Sequence, residues 1–273
     1  MSAPPLPFAR RPAFVGVVHL LATPGAPRFG GSLAALLERA ASDARALVNG
    51  GVDALLVENF GDAPFFAGAV PSETIAALAV ALREVRALAG DLPVGVNVLR
   101  NDARAALGLC AATGAAFLRV NVHTGAMVTD QGVIEGRAAE TLRERARIAP
   151  AAAILADVHV KHATPLGCET RTDAALDARQ RGLADALILT GARTGSAPAR
   201  KDFLELREVL GDCPLLIGSG LDEHDREGLL ALADGAIVGT SLKRHGRVSE
   251  PVEEARVARL CALFESVRGS RRA

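Results

Sequence analysis

The sequence predicts a parallel, eight-stranded (β/α)8 barrel of the α/β class, the TIM-barrel architecture, from three observations. Eight short apolar runs alternate with eight segments of helical period, rich in Ala, Leu, Arg and Glu, across 273 residues. The runs are apolar at nearly every position, the mark of parallel strands buried on both faces. The first run ends in Val18-His19-Leu20-Leu21, where an open doubly wound nucleotide-binding sheet would carry a glycine-rich loop.

In chain order the strand runs are Phe14–His19, Asp53–Glu58, Pro93–Val98, Ala116–Val122, Ala153–Val160, Ala186–Thr190, Pro214–Gly218 and Gly235–Gly239. Helical segments lie near 32–49, 72–89, 102–113, 136–147, 172–181, 200–210, 222–232 and 250–267. In the second, Ile75, Leu78, Leu82 and Val85 share one face, and Ser72 is placed to cap the first turn after Pro71. Asn49-Gly50-Gly51, Thr113-Gly114, Gly182 and Ala233-Asp234-Gly235 put Gly or Asp where helices hand over to strands. Pro4, Pro5, Pro7 and Pro12 remove backbone donors from the first segment. Residues 1–13 are therefore read as an N-terminal extension, loose or packed across the barrel bottom, and 14–273 as a single barrel domain.

Composition narrows the partners. Lys+Arg and Asp+Glu are both 31, so the net charge is zero. That argues against a nucleic-acid binder and against a charged membrane-surface protein. Hydrophobic residues make up 49%, ample for a large core. No run approaches the ~18 apolar residues of a membrane span, and no apolar signal region precedes His19. A cytoplasmic protein without an integral membrane segment is expected. The four cysteines form no C-x-x-C, so neither a disulfide framework nor a thiolate zinc site is predicted. A homo-oligomer is compatible with the sequence.

Barrels place their chemistry at the C-terminal ends of the strands, and these ends are repeatedly polar. They supply His19, Glu58, Asn59, Asn97, Arg119, Asn121, His123, Asp157, His159, Lys161, His162 and Thr190. An inert barrel would not repeat this, because each buried polar group without a partner costs a few kcal/mol. In Asp157-Val158-His159-Val160-Lys161, strand period 2 points the three polar side chains into the barrel mouth and the two valines at the helices. Asp157, His159 and Lys161 are accordingly read as catalytic, as an acid/base set or a Schiff-base lysine with helpers, alongside the Glu58 carboxylate. The structural alternative is an ion-pair network that merely closes the barrel. Lys161 stands out because only three of the 31 basic residues are lysines. The second column, Arg119, Asn121 and His123, is assigned to substrate with His19, Asn59, Asn97 and His162. Glu58, Asp157 and His159 are possible ligands of a divalent metal, but no ligand spacing specifies one, and no cofactor is firmly implied.

The last two strands predict a phosphate site. Gly218-Ser219-Gly220 and Gly239-Thr240-Ser241 end the seventh and eighth strands, where barrels commonly hold phosphate. Glycines let backbone N–H groups approach an anion closely. Gly191 is read as a further backbone contact and Lys243 as a nearby charge. The expected ligand is a small phosphorylated metabolite. A flavin or nucleotide enzyme is the alternative, but the chain has no Trp or Tyr and only nine Phe for a stacking platform.

Gly16-Val-Val-His19-Leu, Glu58-Asn59-Phe-Gly-Asp62-Ala-Pro-Phe, Gly95-Val-Asn97-Val-Leu-Arg100-Asn101-Asp102, Phe117-Leu-Arg119-Val-Asn121 and Ala156-Asp157-Val-His-Val-Lys161-His162 together resemble the BtpA/SgcQ family. The resemblance runs from about residue 14 to the end. It implies a phosphate-binding-type TIM barrel. The family takes its name from a factor needed for photosystem I accumulation, and relatives occur among sugar-utilisation genes. The polar barrel mouth and the phosphate loops point to an isomerase or lyase/aldolase acting on a small phosphorylated metabolite such as a sugar phosphate, and the family name suggests the alternative, a non-enzymatic factor for photosystem I biogenesis.

Overall fold

A computed structural model describes residues 6–167, 169–191, 196–225 and 228–272. Among the described residues there are eleven strands: β1 (Ala13–His19), β2 (Ala54–Glu58), β3 (Val94–Asn97), β4 (Phe117–Val120), β5 (Ala126–Thr129), β6 (Gly132–Glu135), β7 (Ala153–Val158), β8 (Ala163–Pro165), β9 (Ala186–Leu189), β10 (Leu215–Ile217) and β11 (Gly235–Val238). Eight of them close a parallel barrel in the order β1-β11-β10-β9-β7-β4-β3-β2. The helices are α1 (Leu33–Asn49), α2 (Ser72–Ala89), α3 (Ala103–Thr113), α4 (Ala138–Ile148), α5 (Arg171–Leu176), α6 (Arg200–Leu210) and α7 (Glu254–Arg272).

Period-2 alternation explains both layers of the core. Val15, Val17, Leu56, Phe117, Leu155, Ile188, Leu216 and Ile237 point inward and fill the barrel. Their neighbours Phe14, Val18, Leu55, Val57, Leu118 and Ile154 point outward and pack with the apolar faces of the helices. Gly95 leaves its inward position empty for the Phe117 ring, which a Cβ there would overlap. Phe8 stands edge-on to Phe117 at 5.3 Å and belongs to this inner layer. Residues 6–12 contain no strand.

Four local expectations change. Pro71, not Ser72, precedes α2, and no side chain caps its first turn. The described residues of 222–232 form turns instead of a seventh-unit helix. Asp225 has φ +36° and its carboxylate accepts from Leu229 N and Leu230 N, which diverts the chain before a helix forms. The fifth barrel strand stops at Val158, because His159 adopts φ +49°. Last, β5, β6 and β8 form a separate antiparallel sheet in the order β6-β5-β8. That sheet buries Met127, Ile134, Val122 and Val160 together, so Val160 faces it and not the helices.

Candidate functional site

Continuing the inward alternation by one step beyond the apolar core produces the site. After Val17, Leu56, Phe117, Leu155, Leu216 and Ile237 come His19, Glu58, Arg119, Asp157, Gly218 and Gly239. Register places His19 beside Glu58 and Glu58 beside Asn97 on three adjacent strands. Asn97 Nδ2 donates to Glu58 Oε1 at 3.0 Å, and Arg119 Nη1 lies 3.5 Å from the same oxygen. Glu58 Oε2 lies 3.7 Å from His19 Nε2. Arg119 donates from Nε and Nη2 to the two Asp157 oxygens, both at 2.9 Å, and Asn121 Nδ2 adds a third bond at 2.7 Å. Bidentate charge-assisted bonding of this kind fixes geometry as well as charge.

These neighbours bias the titrating groups. Burial opposes the Arg119 charge, but Asp157 and Glu58 outweigh it and hold the guanidinium above its ordinary value. Burial, then the Arg119 charge, pushes the Lys161 ammonium below its ordinary value, while Glu58 and Asp157 pull it partly back. Burial, reinforced by the charges of Lys243 and Lys161, holds His19 well below the usual imidazole range. Its ring packs against Phe60 with centroids 4.7 Å apart.

One cavity of about 420 Å³ joins this charged floor to the glycine-bearing strand ends. His19, Glu58, Arg119 and Lys161 line one side; Gly218, Ser219, Gly220, Gly239, Thr240 and Ser241 line the other. Gly239 is required by its neighbour, since a Cβ there would overlap the His19 ring. Gly220 has φ +78° and leaves no room for a Cβ beside Ala197 N. Ser219 Oγ donates to Ser196 O at 3.0 Å and Ser241 Oγ to Leu221 O at 2.8 Å. The Gly218 N–H is also committed, donating to Leu189 O at 2.8 Å as part of the strand pairing, so that predicted phosphate donor is taken. Thr240 and Ser241 open a short 3₁₀ turn, whose first N–H groups have no partner within the turn. Arg256, from α7, also lines the cavity and anchors through Nε on Ser241 O at 2.7 Å. Asp222 sits at the same wall, its carboxylate accepting from His224 N.

Several predicted residues serve elsewhere. Asp157 does not line the cavity: its side chain is fully buried and its oxygens are taken by Arg119 and Asn121. It positions Arg119 and does not face a ligand, and Asn121 and Asn97 likewise hold carboxylates. His159 lies off the strand and away from the cavity, half-buried, with burial and then Arg171 lowering its pKa. His123 leaves its column because β4 ends at Val120; its Nε2 meets Gly182 O at 2.7 Å. His162, exposed at φ +58°, is not a lining residue. Asn59 accepts from Leu99 N at 2.8 Å and donates to Asp62, and it lines a neighbouring cavity of about 340 Å³ with Phe65 and Phe66. Gly191 packs on the Ser196 and Ala197 backbone, outside the cavity.

Lys243 is the largest correction. It is fully buried, and Nζ donates to Asp43 Oδ2 of α1 at 2.6 Å. Asp43 Oδ1 also accepts from Val252 N at 2.7 Å. The lysine that follows the phosphate-type turn therefore clamps that turn to α1 and offers no charge to a ligand. Asp43→Asn strands a buried ammonium and is expected to cost about 3–5 kcal/mol in urea unfolding; a loss under 1 kcal/mol would contradict the clamp.

Two residues with a part in the site were missed. Arg256 gave no signal in so arginine-rich a sequence. Arg100 belongs to a noted motif, but only the fold shows its Nη2 donating to Lys161 O at 2.6 Å. Among the described residues, no group of three His, Cys, Asp or Glu is arranged to hold a metal ion. The Glu58 and Asp157 carboxylates are instead engaged by Arg119, which does not suit a metal centre.

A profile of the BtpA family matches residues 10–266. The chain belongs to the BtpA family. It is 48% identical over 244 residues to the photosystem I biogenesis protein BtpA of Synechocystis sp., covering 89% of this chain and 85% of that one. The sgc region protein SgcQ of Escherichia coli is 32% identical, over 94% of this chain and 95% of its own. Among solved structures, phosphoribosyl anthranilate isomerase from Thermus thermophilus matches with TM-score 0.56 at 17% identity, over 93% of this chain and 99% of that one. That last likeness shows the TIM-barrel fold of this BtpA-family chain. No helix of it, among the described residues, is long and apolar enough to cross a membrane.

The site also predicts an acid sensitivity. His19 and His123 are both held below the ordinary imidazole pKa, the latter mainly by burial, with Arg145 adding to it against the Gly182 carbonyl. The unfolded chain takes up their protons near pH 6.5 and the folded chain does not. Stability is thus complete above that pH and falls below it, by at most about 1.4 kcal/mol per pH unit for each histidine. Urea unfolding at pH 7.5 and 5.5 measures this, and a flat profile would refute it.

Proposed function

We propose that this chain is an enzyme of the isomerase or lyase type that acts, in the cytoplasm, on a small phosphorylated metabolite such as a sugar phosphate. The observation that carries the reading is the single cavity in which a glycine-rich wall with Arg256 faces Glu58, His19, Arg119 and Lys161. An anion fits the first wall: close backbone N–H groups and a guanidinium act there with little reorganisation. The opposite wall brings a carboxylate, an imidazole and a desolvated lysine to the rest of the same ligand. The likeness to a phosphoribosyl anthranilate isomerase supports this chemistry by analogy of fold alone.

The test is a thermal-shift screen with inorganic phosphate, sugar phosphates, flavin mononucleotide and nucleoside phosphates. Sugar phosphates are expected to stabilise the chain above the others. Arg256→Met should weaken binding about tenfold, the effect of ~1.4 kcal/mol. Stabilisation by nucleotides alone would replace the reading with a nucleotide or flavin enzyme. The kinship to the cyanobacterial protein favours a second reading, a factor for photosystem I biogenesis. Silence towards every phosphorylated compound would leave that reading in place.

A further inference from the structure

Two polar atoms at the floor of the cavity are not committed to each other. His19 Nε2 and Glu58 Oε2 stand 3.7 Å apart, beyond hydrogen-bond distance. Glu58 Oε1 is already held by Asn97 and Arg119. Nδ1 of His19 is buried, without a partner among the described residues. A buried N–H without an acceptor is costlier than a lone pair without a donor, and the carboxylate attracts the proton to its own side. The imidazole N–H therefore resides on Nε2, beside Glu58. Burial and the neighbouring lysines keep the ring neutral. The gap suits a substrate that offers an acceptor to the histidine and an acidic proton to the carboxylate.

On the basis of the phosphorylated-metabolite reading, we propose that Glu58 and His19 enolise a phosphorylated carbonyl compound, Glu58 removing the proton next to the carbonyl while His19 Nε2–H supports the carbonyl oxygen. The C–H bond breaks and its proton goes to Glu58 Oε2. The electron pair becomes the C=C bond of an enolate, and the carbonyl π pair moves onto oxygen. That oxyanion is met by the His19 N–H and by the Lys161 charge. His19 Nε2 gives its proton to the oxyanion and takes the one from the hydroxyl on the deprotonated carbon, and return of the carbon proton from Glu58 to the former carbonyl carbon completes an isomerisation. Atoms and electrons balance without a co-reactant. Neutral imidazole as electrophile beside a carboxylate base is a known solution to this chemistry.

The experiment incubates the full chain in D2O with dihydroxyacetone phosphate and, separately, ribulose 5-phosphate, and reads deuterium at the carbon next to the carbonyl by NMR. Inorganic phosphate binding is measured in parallel by calorimetry. The wild type is expected to incorporate deuterium, with Glu58→Gln and His19→Asn each slowing exchange by about 100-fold or more while binding inorganic phosphate like the wild type. Exchange unchanged in His19→Asn overturns the assignment of the donor. Phosphate binding without exchange at either carbonyl overturns enolisation and leaves the phosphate reading standing. Failure to bind phosphate, with no exchange, overturns both.

Discussion

Replacing Lys161 by Met is expected to slow turnover by about 100-fold or more and, at the same time, to leave the chain as stable as before or about 1 kcal/mol more so. The two effects have one cause. Lys161 is half-buried beside Arg119 and Arg100, and among the described residues it has no carboxylate within ion-pair distance. Such an ammonium is poorly solvated and repelled, so the folded state gains when it is removed. A position that weakens the fold yet lines the cavity is what a functional group looks like. Deuterium exchange with the phosphorylated carbonyl probes and urea unfolding give the two readouts. Lys161→Arg and borohydride separate its modes of action. If Lys161 acts as a charge, the arginine variant retains part of the rate and no adduct is trapped. If it forms an imine, the arginine variant is dead and reduction fixes the substrate to the lysine. A Lys161→Met chain destabilised by more than 2 kcal/mol would make the residue structural.

The barrel was legible because its signal is local and repeated: eight apolar runs, each followed by helical periodicity, need no knowledge of distant partners. The polar ring was legible for the same reason, since His19, Glu58 and Arg119 continue the alternation that puts Val17, Leu56 and Phe117 inside. Lys161 was reached by a route the structure does not use. The strand ends at Val158, and the lysine comes to the cavity on a loop held by Arg100 and by pairing of β8 with β5. Those contacts join residues 61 and about 35 positions apart, which no window of sequence displays. Lys243 failed likewise. Its place two residues after Ser241 suggested an anion, but its partner Asp43 lies 200 residues away. The hairpin of β5 and β6 was hidden because four-residue strands in a connection, with Val128 and Val133 exposed, leave no buried periodic face.

Arg119 tests whether the floor of the cavity is a structural ion network or a functional one. Arg119→Met leaves Asp157 with only Asn121 and Glu58 with only Asn97 in buried surroundings, and is expected to cost about 3–5 kcal/mol. The double variant Arg119→Met with Asp157→Leu removes the more deeply buried of the two stranded charges, Asp157, and leaves Glu58 at the cavity. Buried ion pairs replaced by apolar side chains of similar volume are often neutral or stabilising, so the double variant should recover most of the loss. Turnover behaves differently. Arg119 touches Glu58 at 3.5 Å and lines the cavity, and its charge lowers the Lys161 pKa. Both variants are therefore expected to lose about 100-fold or more in deuterium exchange, and in Arg119→Met the alkaline limb of the rate should move to higher pH as Lys161 is freed of the Arg119 repulsion, with burial still holding it below its ordinary value. Recovery of stability without recovery of rate marks the network as functional. Recovery of both would show that Arg119 and Asp157 only close the barrel, and the chemistry would then rest on Glu58, His19 and Lys161 alone.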